Sequence, residues 1–358
     1  MTEQTNIAHA GNGAPVAAAQ RRVPAIPILA ALAVAQLALI AWLFWPQPAQ
    51  TAAGPLFTNL DPDAVNAITI VWDEQELHFA RRGDGWVLPE RGDFPVNALA
   101  VSELLTKVAQ IDTSRLVASN AASHARLRVD DANPIRRVEM TSSDGGNLTL
   151  FVGTAPNARA TNVRAGGSDN VYITSALSTG DVRTDVAAWV NTQYLNLDPA
   201  SISQLTIENA AGTLALARGE SGAWTLPDLA TSESVITDGV ETLARNLSTL
   251  GLSDVLGTTP QPEYGLDQPL ATVTLDLTAT AEITGTVAPT APVQIVIGAR
   301  DDASGSYAVK ASTSPFYVRV TAATLEPIVN ATRAGFVSAP PTPEGAVESA
   351  TPENAPQP

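Results

Sequence analysis

Two stretches of this chain follow one plan, about 140 residues apart, and any fold must accommodate both. The first begins Leu60-Asp61-Pro62 and reaches Ile68-Thr69-Ile70. The second begins Leu197-Asp198-Pro199 and reaches Leu205-Thr206-Ile207 at the same internal spacing. Each continues to a Trp-x-Leu-Pro, at Trp86–Pro89 and Trp224–Pro227, and then to apolar residues at helical spacing. These are Leu99, Leu104, Leu105, Val108 and Ile111 in the first stretch, and Val240, Leu243, Leu247 and Leu250 in the second. A leucine and a proline follow in both (Leu127…Pro134; Leu266…Pro269), then alternating strands that end at Gly153 and Gly298. A tyrosine strand comes next (Tyr172-Ile173; Tyr317-Val318). A short amphipathic helix closes each copy, through Val182, Val186 and Trp189 or through Leu325, Ile328 and Val329. The unit is too long for a solenoid repeat, so the pattern predicts two tandem related domains of order β-β-α-β-β-β-α. Runs such as Arg137–Thr141 and Asn147–Val152, joined by Asp144-Gly145-Gly146, are hairpin signals. Mainly antiparallel sheets with amphipathic helices to one side make the fold class α+β. Asp61 and Asp198 suit N-caps followed by proline at N1, which is a structural role.

Ahead of the repeat, Val23 to Trp45 runs without a charge. As a helix it extends roughly 34 Å, enough for a bilayer core of about 30 Å. Arg21 and Arg22 precede it and Trp42 and Trp45 stand at its far end. The positive-inside rule therefore predicts a single-pass anchor in a cell membrane, with the N-terminus cytoplasmic and the bulk of the chain extracytoplasmic. A cleaved signal peptide would have a shorter apolar region. The expected organisation is a disordered leader over 1–22, a transmembrane helix over 23–45 and a linker over 46–55. Two repeat domains follow over 56–193 and 194–338, then a disordered Pro/Glu tail over 339–358.

Composition excludes several function classes. Lys and Arg number 20 against 36 Asp and Glu, a net charge of −16, which argues against nucleic-acid binding. With no cysteine there is no disulfide framework, thiolate metal site or cysteine nucleophile. None of the three histidines has ligand spacing: His9 lies in the leader, His78 on a strand's solvent face and His124 in a polar loop. Asp130-Asp131 reads as a pair on a strand, whose side chains point to opposite faces and cannot converge as a catalytic couple. Asp301-Asp302 heads a Ser- and Gly-rich hairpin turn and lacks the glutamate that a calcium loop needs at its twelfth position. Neither a nucleophile elbow nor a phosphate loop follows any strand. The expectation is no enzyme, no metal and no cofactor. Trp86 and Trp224 occupy matching positions and read as core plugs or as stacking residues; Tyr264 reads as a turn anchor or a docking residue.

Anchor, Ile-x-Ile strand and Gly-x-Trp-x-Leu turn stand together with Glu263-Tyr264-Gly265-Leu266-Asp267-Gln268-Pro269 ahead of Thr272-Val273-Thr274-Leu275. A strand ending Ile297-Gly298 and then a tyrosine strand complete the set. In this combination the chain resembles the DUF4340 family of bacterial membrane-anchored proteins, over roughly Leu56 to Phe336. The first copy departs from the pattern at His124-Ala125-Arg126-Leu127. The resemblance implies an extracytoplasmic companion of ABC-type permease and ATPase subunits or a related envelope system, held to the lipid bilayer by its N-terminal helix. It brings no catalytic residues. The alternative expectation is a domain that binds cell-envelope glycan or another ligand in an aromatic cleft involving Trp72, Trp86 or Trp224.

Overall fold

A computed structural model describes residues 34–36, 53–278, 282–283, 286–287 and 291–338. Within these residues no helix is long and apolar enough to cross a membrane. Apart from 34–36, the span over 23–45 lies outside the described residues, as do Arg21, Arg22, Trp42 and Trp45. The chain from Gly54 onward forms one compact unit.

Its first half runs β1 (Val65–Trp72), β2 (Gln75–Arg82), β3 (Gly85–Leu88), β4 (Phe94–Val96), helix α1 (Ala98–Ala109) and β5 (Leu116–Ser119). A four-residue helix α2 (His124–Leu127) leads to β6 (Arg136–Ser142), β7 (Asn147–Val152), β8 (Thr161–Ala165) and β9 (Asn170–Thr174). The second half runs β10 (Ile202–Asn209), β11 (Gly212–Arg218), β12 (Trp224–Thr225), β13 (Ser234–Val235), α3 (Thr237–Ser248) and β14 (Asp254–Gly257). Then come β15 (Ala271–Leu277), the small hairpin β16 (Glu282–Ile283) and β17 (Thr286–Val287), β18 (Val293–Asp301), β19 (Ser306–Ala311) and β20 (Tyr317–Thr321). Helix α4 (Ala322–Val329) and β21 (Val337–Ser338) end the described chain.

The strands form a nine-stranded sheet, β4-β3-β2-β1-β6-β7-β8-β9-β5, an eight-stranded sheet, β12-β11-β10-β15-β18-β19-β20-β14, and two two-stranded ones, β13-β21 and β16-β17. With β4 set aside, the orders of the two large sheets correspond strand for strand. The fold is mainly antiparallel sheet with few helices, because the strands carry period-2 alternation and short turns. Ile68 and Ile70 of β1 face Met140 and Val138 of β6, while Leu205 and Ile207 of β10 face Leu275 and Val273 of β15; all eight are buried. Helix α1 covers the first sheet with Val101, Leu104, Leu105 and Val108, and α3 covers the second with Val240, Leu243 and Leu247. Leu99 does not join that face. It lies in the first turn of α1, two residues before Val101, and is 72% exposed. One continuous core joins both halves through Leu195 and Leu197 of the connecting segment.

Several sequence expectations shift. The closing helix of the first half is instead two 3-10 turns, Thr179–Asp181 and Val186–Ala188. Gly180, Asp181 and Asp185 are weak helix formers; the Ser178–Asp181 capping box starts the first turn, but Val182 (φ −89°, ψ 74°) leaves helical geometry and the turn is not continued. Val182, Val186 and Trp189 are still buried. His124 is not in an exposed loop: it starts α2, is buried, and its Nε2–H donates to the carbonyl of Asp169 at 3.0 Å. Asp130 and Asp131 lie in a turn, not a strand. There Asp130 Oδ1 accepts from the amides of Ala132 (3.1 Å) and Asn133 (2.8 Å).

The Leu…Pro correspondence also moves. The carbonyl of Leu127 sits over Gly153, and the carbonyl of Tyr264 sits over Gly298, so Leu127 matches Tyr264 rather than Leu266. Arg128 (φ 55°) then takes the left-handed position that Gly265 (φ 63°) takes in the second half. A carbonyl can rest on a β-strand only where no Cβ intervenes, which is why the strand carries glycine in both places.

On the sheet face opposite α1, the α2 turn roofs a small cluster of Leu127, Val129, Phe151 and Val171. Arg164 lies among them, 3% exposed and 4.1 Å over the Phe151 ring. Its Nε donates to the Val129 carbonyl (2.7 Å), Nη1 to that of Ser168 (3.2 Å) and Nη2 to Asp131 Oδ1 (2.8 Å). By register with β7 and β18, Lys310 holds the same place in the second sheet. Its ammonium donates to the carbonyls of Ala311 and Ser314, and burial pulls it below the usual lysine range.

Candidate functional site

The residues singled out by sequence are used in packing and are not brought together. Trp86 in β3 is buried in the first sheet. Trp224 in β12 is buried in the second, its Nε1–H donating to Glu241 Oε1 at 3.0 Å and the Arg218 guanidinium lying 4.6 Å over its ring. Tyr264 ends the 3-10 turn Pro262–Tyr264, donates to the Leu256 carbonyl at 3.4 Å, and stacks at 5.7 Å on Tyr317. Burial, with Glu263 beside it, raises the Tyr264 hydroxyl above its ordinary pKa.

What the geometry builds is a joint between the two sheets. Leu88 hands over to a 3-10 turn, Pro89–Arg91, with proline at its start and Gly92 (φ 71°) as its left-handed cap. A Cβ on Gly92 would meet the Thr258 side chain at 2.8 Å, so glycine lets this ridge press onto the second sheet. Arg91 Nη1 donates to the Val255 carbonyl and lies 3.7 Å from Asp254 Oδ2. Phe94 meets Phe316 edge to face at 4.7 Å. The connecting segment locks in behind: the amide of Asn97 donates to the Trp189 carbonyl (2.7 Å), and that of Leu195 to the Leu250 carbonyl (3.0 Å). Tyr194 Oη accepts from the Ala311 amide (2.9 Å) and donates to the Phe316 carbonyl (2.7 Å). Burial raises the Tyr194 hydroxyl pKa and keeps it protonated as that donor.

Beside the joint opens a cleft of about 500 Å³ whose walls include Trp72, Glu76, Arg91, Asp185, Ser253 and Asp254. Trp72 is half-buried. At its margin His78 Nε2 lies 3.1 Å from Glu76 and 3.4 Å from Glu90, with Nδ1 3.2 Å from Thr69 Oγ1. Among the described residues no three His, Asp or Glu side chains are placed to hold a metal ion. The cleft offers mixed charge and one indole, a surface for binding polar groups. Sequence reasoning missed Arg91, Phe94, Tyr194, Asp254 and Phe316. Their one trace in the sequence is that Arg91, after Leu-Pro-x, has leucine (Leu229) as its counterpart.

The perturbed carboxylates lie elsewhere and serve the fold. Arg333 holds Glu233 down at about 2, with the Ala230 amide helping. This pair fastens β13 to β21, where Ile236 donates to the Phe336 carbonyl at 2.9 Å. A depressed folded pKa contributes stability that is present above the ordinary glutamate value of 4.5 and is lost as pH falls through about 2. Protection of the Val235, Ile236 and Val337 amides, measured against the unstructured-chain rate at each pH, is expected to fall over that window, and Glu233→Gln to lower it already at neutral pH. Unchanged exchange in the variant would refute the fastening role. Asp181 is pulled up by burial and down further by Lys107 at 2.6 Å and by Ser178, ending below its ordinary value.

The model of a family described as "Domain of unknown function (DUF4340)" matches residues 86–269, from Trp86 in β3 to the proline that closes the Tyr264 turn. No curated protein and no solved structure matches the chain. The match takes in the ridge, the connecting segment and β14, and spans just over half of the chain; this protein belongs to the DUF4340 family.

Proposed function

We propose that the chain is a membrane-anchored, extracytoplasmic, non-catalytic interaction module, an accessory part of an ABC-type transporter or related envelope complex. The observation that carries this reading is the uncharged run from Val23 to Trp45 behind Arg21-Arg22. An acidic body, repelled by anionic lipid, is consistent with a domain held off the bilayer by a linker. Trp86 and Trp224, which could have marked a ligand site, are buried, while a hydrogen-bonded joint ties the two sheets together. The two halves are read as a duplication. The matching strand orders support it, as do the paired glycines beneath Leu127 and Tyr264.

Purification of the tagged full chain from gently solubilised membranes tests the reading. Permease and ATPase subunits are expected to accompany it, and recovery of the chain alone would overturn the assignment. A second reading, binding of envelope glycan, rests on half-buried Trp72 in the cleft wall. It requires indole fluorescence to respond to glycan fragments, with the response lost in Trp72→Ala.

A further inference from the structure

We propose that the β5 edge is a vacant docking site for a second copy of this chain, engaged head to tail through that copy's Pro227–Ala230 ridge. The inference rests on the duplication reading and extends it from the inside of the molecule to its outside.

Strand β5 holds the place in the first sheet that β14 holds in the second. Each ends its sheet and pairs only with the preceding strand in that order, β9 or β20. Both skip one residue of their pairing, Val117 between Leu116 and Ala118 and Leu256 between Val255 and Gly257. The segments ahead of them are clamped alike: Leu56 donates to the Ile111 carbonyl (2.7 Å) as Leu195 does to that of Leu250 (3.0 Å). Leu116 therefore corresponds to Val255. Their surroundings differ completely. Val255 is 0% exposed: it belongs to the core, the first half lays both its Pro89–Arg91 and its Val186–Ala188 turns on β14, and Arg91 bonds its carbonyl. Leu116 is 55% exposed and Val117 43%, on an edge that no strand pairs with among the described residues. Such an edge is a template for association.

The matching ridge is uncovered on its outer side, while Arg333 Nη2 donates to the Asp228 carbonyl (3.0 Å), the Ala230 amide to Glu233 (3.0 Å), and Leu229 packs on the core. Pro227–Ala230 follows Trp224-Thr225-Leu226 as Pro89–Gly92 follows Trp86-Val87-Leu88, and Pro227, Asp228 and Ala230 are exposed. The charges are complementary, though not position for position: Arg91 has Leu229 as its counterpart, and Asp228 stands where Glu90 does. Inside the chain, ridge Arg91 approaches Asp254 at 3.7 Å. On the vacant edge Arg115 stands in Asp254's place, and the uncovered ridge carries Asp228. One free socket in the first half and one uncovered ridge in the second give a heterologous contact, which builds a ring if the rotation closes and a filament if it does not.

The chain has no native cysteine, so two introduced ones report the contact without background. Val117→Cys and Asp228→Cys are combined in the purified full chain, which is then oxidised. A ladder of disulfide-linked multimers is expected, with either single variant giving at least tenfold less product. Adding Leu116→Glu is expected to reduce the ladder at least tenfold while leaving the melting temperature unchanged. A double variant that stays monomeric overturns the proposal. So does Val117→Cys alone crosslinking as well as the pair, which means edge-to-edge pairing. Sedimentation of the unsubstituted chain in mild detergent gives a readout free of variants: a monomer at every concentration also overturns it. No transporter subunit is present in these samples, so failure here is distinct from failure of the co-purification.

Discussion

Gly298→Ala is expected to lower the unfolding free energy by about 3 kcal/mol, and Gly153→Ala by a similar amount, at the top of the range for overpacking a close-packed site. The added Cβ would stand 2.0 Å from the Tyr264 carbonyl oxygen at Gly298 and 2.2 Å from that of Leu127 at Gly153. Neither obstacle is a flexible side-chain end. Each is backbone of a turn pinned by its own hydrogen bonds: Gly265 donates to the Pro262 carbonyl (3.1 Å) and Thr154 to that of Leu127 (2.9 Å). The turn must lift off the sheet, taking Tyr264 away from Tyr317 in one half and Leu127 away from Phe151 in the other. Thermal melting reads the effect as a midpoint lowered by roughly 6 °C or more. Gly167→Ala is the control: it has positive φ (74°) but nothing within 4 Å of a Cβ, so only the backbone cost of about 1 kcal/mol applies. Equal losses at all three glycines would show that close approach is not what these positions require.

Arg164→Ala is expected to cost about 4 kcal/mol in urea denaturation, whereas Asp131→Ala costs less than about 1 kcal/mol. The asymmetry follows from burial, since Arg164 is 3% and the Asp131 side chain 79% exposed. Losing the carboxylate leaves the guanidinium with two carbonyl partners and the Phe151 face. Losing the guanidinium orphans the buried carbonyl of Val129 and opens a void over Phe151. Arg164→Lys should recover only part of the loss, because one ammonium cannot serve carbonyls and a carboxylate arranged around a planar fork. Comparable losses from Arg164→Ala and Asp131→Ala would mean that the ion pair, not the buried carbonyl network, holds the turn.

The strands were readable because their apolar residues alternate: Ile68, Ile70, Leu205 and Ile207 declare both sheets by pattern alone. The α1 and α3 faces were readable for the same reason. Register was harder. Sequence aligned Leu127 with Leu266 by letter, but the fold aligns residues by backbone conformation, and Arg128 does at φ 55° what Gly265 does at 63°. The segment through Val182, Val186 and Trp189 has helical spacing yet too little helix propensity to use it. The joint was out of reach because its partners, such as Arg91 and Val255, are far apart in sequence and neither belongs to a local pattern. For Trp86 and Trp224 the sequence offered core plug or stacking residue, and both are buried, Trp224 against Arg218 and Glu241 of its own half.

One small feature has mechanical meaning. Gly54–Leu56 is stitched to Ile111–Thr113 by Leu56 N–H to the Ile111 carbonyl (2.7 Å) and Thr113 N–H to the Gly54 carbonyl (2.9 Å). The Thr113 hydroxyl adds a bond to the same carbonyl at 3.1 Å. Tension arriving from the preceding residues meets this stitch before it meets β1. A few surface hydrogen bonds therefore act as a fuse. They lie ahead of the buried pairs Ile68–Met140 and Ile70–Val138, so a pull from the N-terminal side loads them first.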